Sequence, residues 1–289
     1  MGKINLLLLL FMMFNVQAFA QEEVIWMHND YPPNRFLSEP YFGEGDCDSA
    51  MLSAQEHLSE DRHILRNYSF GRFLKLLKSK PNYCTSCLLK TPQREEFVLF
   101  SKPFNYSENN MLITRASDAK LYSPYLDSDG KIDLEALLQS KKVVLATNHG
   151  RSYGAYIDSI LVPFRDTEAI TTISSHSSLQ LMFRRLVTMQ PYDALLGYST
   201  ELIWHSGELK IPLKEFAIYQ IKGIDDFDSK SYVYFACSKS ETGERIIATI
   251  DANINDIRKT SMNKYRHWLD EEARERHIKF ESLFYRKNP

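Results

Sequence analysis

Residues 83–104 read YCTSCLLKTPQREEFVLFSKPF, and this stretch decides how the remaining chain is arranged. Residues 83–89 form a β-leaning run that predicts a short strand. Thr91-Pro92 ends it, because proline has no N–H for a ladder and restricts the residue before it. Arg94 follows the break, and residues 97–100 resume an extended apolar run. A guanidinium just past the end of a buried strand is placed to grip a carboxylate or phosphate through two parallel hydrogen bonds. The competing reading is a surface arginine paired with Glu95 or Glu96, a contact that contributes little.

Upstream, residues 24–27 predict a strand that runs into His28-Asn29-Asp30-Tyr31-Pro32-Pro33. Asp48 can cap a helix reaching Leu58, residues 63–68 predict a second strand, and Ser69 can cap a helix over 70–78. In that helix Phe70, Phe73, Leu74 and Leu77 recur at the spacing of one buried face. Strand, helix, strand, helix, strand predicts a parallel sheet with right-handed crossovers. Residues 111–114 are expected to carry the chain into a second lobe, after which 121–130 turn polar and turn-rich, as at a domain boundary.

In that second lobe Asp133 can cap a helix to Gln139, and residues 143–146 predict a strand feeding the loop Thr147-Asn148-His149-Gly150-Arg151-Ser152-Tyr153-Gly154. A glycine-bearing turn that opens a helix offers free N–H groups and the positive end of a dipole, with the Ser152 and Tyr153 hydroxyls beside them. A capped helix start with no ligand is the alternative. Arg151 reads either as a second anion contact or as a solvated charge. Strands follow over 169–173, 192–198, 216–220 and 232–237, with a helix over 179–189 capped by Ser177 or Ser178. Ile246, Ile247, Ile250, Ile254 and Ile257 give one late helix its core stripe. Trp268 and Leu269 are expected to pack a final helix on the first lobe, and the charged tail from Glu271 reads as a solvated helix face.

Taken together, the T-x-x-R turn at Thr91–Arg94, Phe100-Ser101-Lys102-Pro103 after it, the Tyr-Pro-Pro turn at Tyr31 and the late Lys239…Gly243 turn resemble the family 3 extracellular solute-binding proteins, the amino-acid receptors of ABC transporters. The resemblance runs in order along nearly the whole mature chain. It implies a periplasmic-binding-protein type II-like α/β fold, two lobes with mixed, mostly parallel sheets, strand order 2-1-3 in the first, and a two-strand hinge. The lobes then cover 21–113 with 226–289, and 114–225. It further implies that Arg94 clamps a ligand carboxylate and that Gly150 to Tyr153 hold it from the opposite side. Residues 192–198 resemble the family's x-D-A-x-x-x-D strand, with Asp193 on the structural aspartate and Tyr198 where an ammonium-binding aspartate is expected. A neutral phenol offers an amine no charge, and Glu201 is the nearest substitute. The ligand-contact candidates are Asp30, Tyr31, Thr91, Arg94, Arg151, Ser152, Tyr153 and Tyr198; for Asp30 a simple turn role weighs equally.

The N-terminus has Lys3, an apolar run over 4–14 and Ala18-Phe19-Ala20, the pattern of a secretory signal peptide cut after Ala20. The expected location is the periplasm, as a soluble monomer working with an inner-membrane ABC permease or sensor. About 269 residues then remain, enough for two lobes. The formal charge of −2 argues against a nucleic-acid partner. Cys47, Cys84, Cys87 and Cys237 can pair in three ways in an oxidising compartment; a bridge through Cys84, with Cys47 as a candidate partner, is favoured over a redox role for Cys84-x-x-Cys87. No cofactor or metal is expected: only one C-x-x-C is present, and no H-E-x-x-H or G-x-S-x-G motif occurs. Two other functions stay open. One is a dehydratase-type enzyme using His28, Asp30 or His149; the other is a sensor or partner-binding subunit with no small ligand, which predicts an occluded cleft.

Overall fold

The computed structural model describes residues 22–174, 178–188, 191–224, 232–269 and 271–288; the leader at 1–20 and Ser177 lie outside them. Strands run in the order β1 (Glu23–His28), β2 (Arg62–Asn67), β3 (Tyr83–Leu89), β4 (Val98–Phe100), β5 (Asn105–Tyr106), β6 (Met111–Arg115), β7 (Leu145–Asn148), β8 (Ile170–Ile173), β9 (Ala194–Gly197), β10 (Phe216–Tyr219) and β11 (Tyr232–Ser238). They form two sheets, one ordered β2-β1-β3-β11-β4 with β5 also on β11, the other ordered β10-β6-β9-β7-β8. In the first, β1 is parallel to β2 and β3, while β11 runs antiparallel to β3, β4 and β5. In the second, β7 is parallel to β8 and β9, and β6 is antiparallel to β9 and β10. Each lobe therefore has a parallel centre, built by helical crossovers, extended by antiparallel strands where the chain passes between lobes.

Around the first sheet lie α1 (Asp46–Glu56), α2 (Phe70–Ser79) and the single turn α3 (Pro92–Glu95). The second lobe carries α4 (Ala119–Tyr122), α5 (Leu134–Gln139), α6 (Ala155–Leu161), α7 (Ser178–Val187) and α8 (Ser199–Leu209). The chain ends with α9 (Glu241–Ala252), α10 (Ile254–His267) and α11 (Glu271–Lys287). The apolar stripe of α2 does what its spacing predicts: Phe73 and Leu77 bury against Met27, Leu88, Val98 and Ala236. In the other lobe Asp193 is a fixed structural post. Its carboxylate accepts from the Val144 N–H at 2.9 Å and from Arg115 Nη2 at 3.2 Å, joining neighbouring strands.

Several local expectations need correction. Asp48 does not cap α1, whose N-cap is Gly45. It is buried in the first turn, where it accepts from the Phe36 N–H at 2.7 Å and contacts His28 Nε2 at 2.8 Å. Cys84 pairs with Cys237 rather than Cys47, because β3 and β11 place those two directly opposite each other. Cys47 on α1 pairs with Cys87, so the two cysteines of the C-x-x-C leave β3 toward different partners. The isoleucine stripe spans two helices, not one. Asn253 ends α9, and its Nδ2 donates to the Thr249 carbonyl at 2.9 Å, yet Ile246, Ile250, Ile254 and Ile257 still share one core with Trp26 and Phe235.

The charged tail is not simply solvated. In α11 Ala273, His277 and Phe284 are buried, and Phe284 packs with Tyr106, Tyr232 and Met262. The Tyr106 hydroxyl donates to the His277 carbonyl, which ties the helix to the end of β5. A charged sequence hides such a stripe because two apolar positions and one histidine among many ionic ones barely move the average. Among the described residues no helix is long and apolar enough to cross a membrane.

Candidate functional site between the lobes

The predicted contact residues all lie on turns leaving the strands. Tyr31 follows β1, Arg94 sits on α3 after β3, Arg151 to Tyr153 follow β7, and Tyr198 follows β9. These are the carboxyl ends of parallel strands, where loops diverge and leave a crevice. The two crevices face each other. The lobes meet so closely that a Cβ on Gly71 of α2 would stand 2.4 Å from His149 Cδ2 of the opposite lobe, a separation only glycine permits.

A cavity of about 70 Å³ remains between them. Tyr31, Arg94, Arg151, Ser152 and Tyr198 line it, so five of the expected residues come together. Asp30, Thr91 and Tyr153 are not on its wall. Thr91 caps α3 instead, its hydroxyl accepting from the Arg94 N–H at 3.3 Å. Tyr153 is buried behind the wall, its hydroxyl accepting from the Asn148 N–H at 2.7 Å. Asp30 is half-buried beside the cleft, and its charge acts on His28.

Arg94 spans the interface. Nη1 donates to the Leu89 carbonyl of its own lobe at 2.6 Å, and Nη2 donates to the Gly150 carbonyl of the other at 3.1 Å. Its guanidinium also lies 5.6 Å from the centre of the Phe70 ring. Burial draws its pKa down to about 10, partly offset by the charge of Asp158, so it stays cationic at neutral pH. Those two bonds use two of the five N–H groups a guanidinium carries.

The helix start after β7 has a different arrangement from the expected anion cradle. Asp158, in the first turn of α6, takes both donors itself: the Ser152 hydroxyl donates to Oδ2, and the Tyr153 N–H donates to Oδ1 at 2.9 Å. The negative charge that a helix start attracts is thus supplied from within. Arg151 is not a solvated charge. Its side chain is only 6% exposed, and Nη2 donates to Asn110 Oδ1 at 3.1 Å and to Glu201 Oε2 at 3.2 Å.

Sequence reasoning missed much of the first lobe's wall. Asn29, Asn34, Arg35 and Asp46 reach the cavity from the first lobe, together with Phe70 and Phe73, and Asn148 joins them from the second. Asn34 Nδ2 donates to Asp46 Oδ1 at 2.9 Å, and Asn105 Nδ2 donates to Asp46 Oδ2 at 3.1 Å. Burial pushes the Asp46 carboxyl up to about 7 despite those donors. Asn34 Oδ1 is buried with no hydrogen-bond partner among the described residues. Arg35 Nη2 is held by the Ser86 carbonyl at 2.8 Å and the Ser86 hydroxyl at 2.7 Å. The only signal for this wall was proximity to the Tyr-Pro-Pro turn, since Asn34 and Asp46 meet through folding, not spacing. Neither histidine weighed for catalysis lines this cavity: His28 lies 2.8 Å from Asp48 Oδ1 and burial lowers its pKa, and His149 lies against Gly71 of the first lobe.

A third feature closes the cleft at its rim. Trp204 of α8 packs against Phe36, Tyr41 and Trp268 of the first lobe, at ring-centre distances of 4.9, 5.0 and 5.4 Å. The Ser199 hydroxyl also donates to Glu108, on the segment linking the lobes.

Two α/β lobes with mixed sheets, a double crossing and a cavity at the facing strand ends define the type II periplasmic-binding-protein fold. The solved structures it matches are in keeping with that. A substrate-binding protein of an amino acid ABC transporter is 13% identical, with TM-score 0.61 over 86% of this chain and 99% of the other. A Salmonella typhimurium periplasmic binding protein described for high arginine specificity is 17% identical, with TM-score 0.59 over 86% and 100%. A histidine kinase sensor domain with similarity to periplasmic binding proteins is 13% identical, with TM-score 0.61 over 86% and 96%. No protein-family model matches the chain, and no curated protein matches it in sequence.

Proposed function

We propose that this chain is an exported, monomeric solute-binding protein that encloses a small carboxylate-bearing ligand between its lobes and presents it to an ABC permease or a membrane sensor. The observation that carries this reading is the cavity itself. It is lined by both lobes, and it brings together the Arg94 guanidinium and the Asn34 Oδ1, both from the first lobe, the latter with no partner among the described residues. A carboxylate fits the first and a hydroxyl or amide donor the second. Closing around such a ligand adds contacts that the open form lacks, so binding shifts the open–closed equilibrium. Tyr31, Ser152 and Tyr198 supply the remaining wall. The lobes are 21–113 with 226–289, and 114–225, after removal of a leader at Ala20. The protein acts by binding and release without turnover.

Support comes from the matched structures, which include both transporter receptors and a kinase sensor domain. Native mass spectrometry of protein purified from an exporting host, followed by denaturation, tests it. The expected result is release of a small carboxylate from the wild type and its loss in Arg94→Ala. Protein that arrives empty, and that shows no compaction in solution scattering with any tested acid, would sink the ligand-binding reading.

One observation favours a second reading, a partner-binding subunit with no small ligand. The helix start after β7 is already satisfied by Asp158, and Arg151 by Glu201, so the cleft is largely closed from within. Co-purification of a membrane partner with the empty protein would support it.

A further inference from the structure

Arg151 does not sit in its cleft as an ordinary ion-paired side chain. Its guanidinium carbon lies 5.1 Å from the ring centre of Tyr31, 5.0 Å from Tyr153 and 5.2 Å from Tyr198. Nη2 is 3.1 Å from Glu201 Oε1 and donates to Oε2, and it donates to Asn110 Oδ1 as well. Three electron-rich rings surround the planar cation, and a carboxylate and an amide oxygen take its Nη2, while Nε and Nη1 have no hydrogen-bond partner among the described residues and face the rings alone. The rings come from both lobes, Tyr31 from the first and the other two from the second, so the cage gains its third ring only when the cleft is closed.

The cage is also built to hold its carboxylate independently of the arginine. Glu201 is fully buried on α8, and its Oε2 accepts from the Tyr198 N–H at 2.9 Å. A Cβ on Gly197 would stand 2.9 Å from that same oxygen, so the end of β9 is kept bare to make room for it. Burial alone lowers the pKa of Arg151, and the charge of Glu201 outweighs it and holds the group well above the usual arginine value. Burial pushes the Tyr31 and Tyr198 phenols up and the Tyr153 phenol up to about 12, so all three face the cation as neutral rings.

We infer that this cage is a guanidinium-binding site whose occupant is supplied by the chain itself: Arg151 is a built-in ligand. The cation site of the cleft is thereby filled in every closed molecule, and a free molecule bearing a guanidinium or ammonium group finds no vacancy there. One corollary rests on the reading given above. The ligand that shares the cleft carries its acid group without a cationic partner.

Chemical rescue separates this inference from the question of the natural ligand. Arg151→Ala should leave an empty cage, and N-methylguanidinium at millimolar concentration should fill it. The expected result is a saturable rise in the thermal midpoint of R151A, about 2–4 °C at tenfold the dissociation constant. Wild type should show none, methylammonium at equal ionic strength should not substitute, and the further change Glu201→Gln should weaken the rescue at least tenfold in dissociation constant, on the order of one charge-assisted bond. If R151A does not fold unaided, the yield of folded protein on refolding with either cation reads the same quantity. An equal effect of N-methylguanidinium on wild type and variant, or equal rescue by methylammonium, would overturn the inference, whatever is found about carboxylate binding.

Discussion

Arg94 and Gly150 are joined across the cleft, with Nη2 of the arginine donating 3.1 Å to the glycine carbonyl while Nη1 holds Leu89 at 2.6 Å in its own lobe. One guanidinium therefore ties the turn after β3 to the loop after β7. Truncating it leaves two carbonyls without their charged donor and removes a direct link between lobes. Arg94→Ala should lower stability by about 1.5–3 kcal/mol. It should also raise the radius of gyration as the open form gains population. Chemical denaturation and solution scattering measure the two effects; a stable variant that stays compact would show that the bridge contributes nothing to closure.

Trp204 is the rim contact that can be removed without touching the cavity. Its ring is half-buried among Phe36, Tyr41 and Trp268, which come from the other lobe. Trp204→Ala should cost about 1–3 kcal/mol, below the range for a fully buried ring, and should favour opening. In a Trp26→Phe background the Trp268 emission should shift to longer wavelength as its neighbour is lost. Unchanged emission would mean that the rings do not form a clasp in solution.

His277 should make the protein acid-sensitive. Its ring is buried against Tyr106, both nitrogens lack hydrogen-bond partners, and burial lowers its pKa to about 3 from an ordinary 6.5. The folded state thus binds its proton later than the unfolded state does. Its contribution is fully present above about pH 6.5 and is lost as pH falls toward 3, by up to about 1.4 kcal/mol per unit. His277→Phe should be at least as stable as wild type at neutral pH, with an advantage that widens between pH 6.5 and 3. Denaturation midpoints that fall in parallel for both proteins would refute this assignment.

The two disulfides close loops of very different length, 40 residues for Cys47–Cys87 and 153 for Cys84–Cys237. Chain entropy gives upper estimates of about 4 and about 5 kcal/mol respectively. Replacing Cys84 and Cys237 by serine should therefore destabilise more than replacing Cys47 and Cys87, by about 1 kcal/mol in non-reducing denaturation. The reverse order would point to strain or residual structure in the unfolded chain as the larger influence.

Where apolar residues repeat with the period of an element, the sequence was legible. The stripe of Phe70, Phe73, Leu74 and Leu77, the strand at 83–89 broken by Thr91-Pro92, and the order of strands and helices were enough for a two-lobe α/β fold. Arg94 and Arg151 could be singled out from their place in turns after strands, and Tyr198 only because its strand resembles a family motif; all three line the cavity. Helix division at Asn253 and the buried stripe of α11 were not readable, because one capping residue and three scattered positions leave little periodic signal.

By itself, then, the sequence determined most of the elements and their order, since those follow from local chemistry and periodicity, and its family resemblance implied which turns face the cleft. Only the tertiary structure decided how the charges in that cleft are spent. Asp158 answers the helix start, Glu201 answers Arg151, Cys84 finds Cys237, and Asn34 meets Asp46 across a loop. Each pairing depends on distances set by packing of segments far apart in the chain, and a partner fixed by packing leaves no mark in spacing or composition.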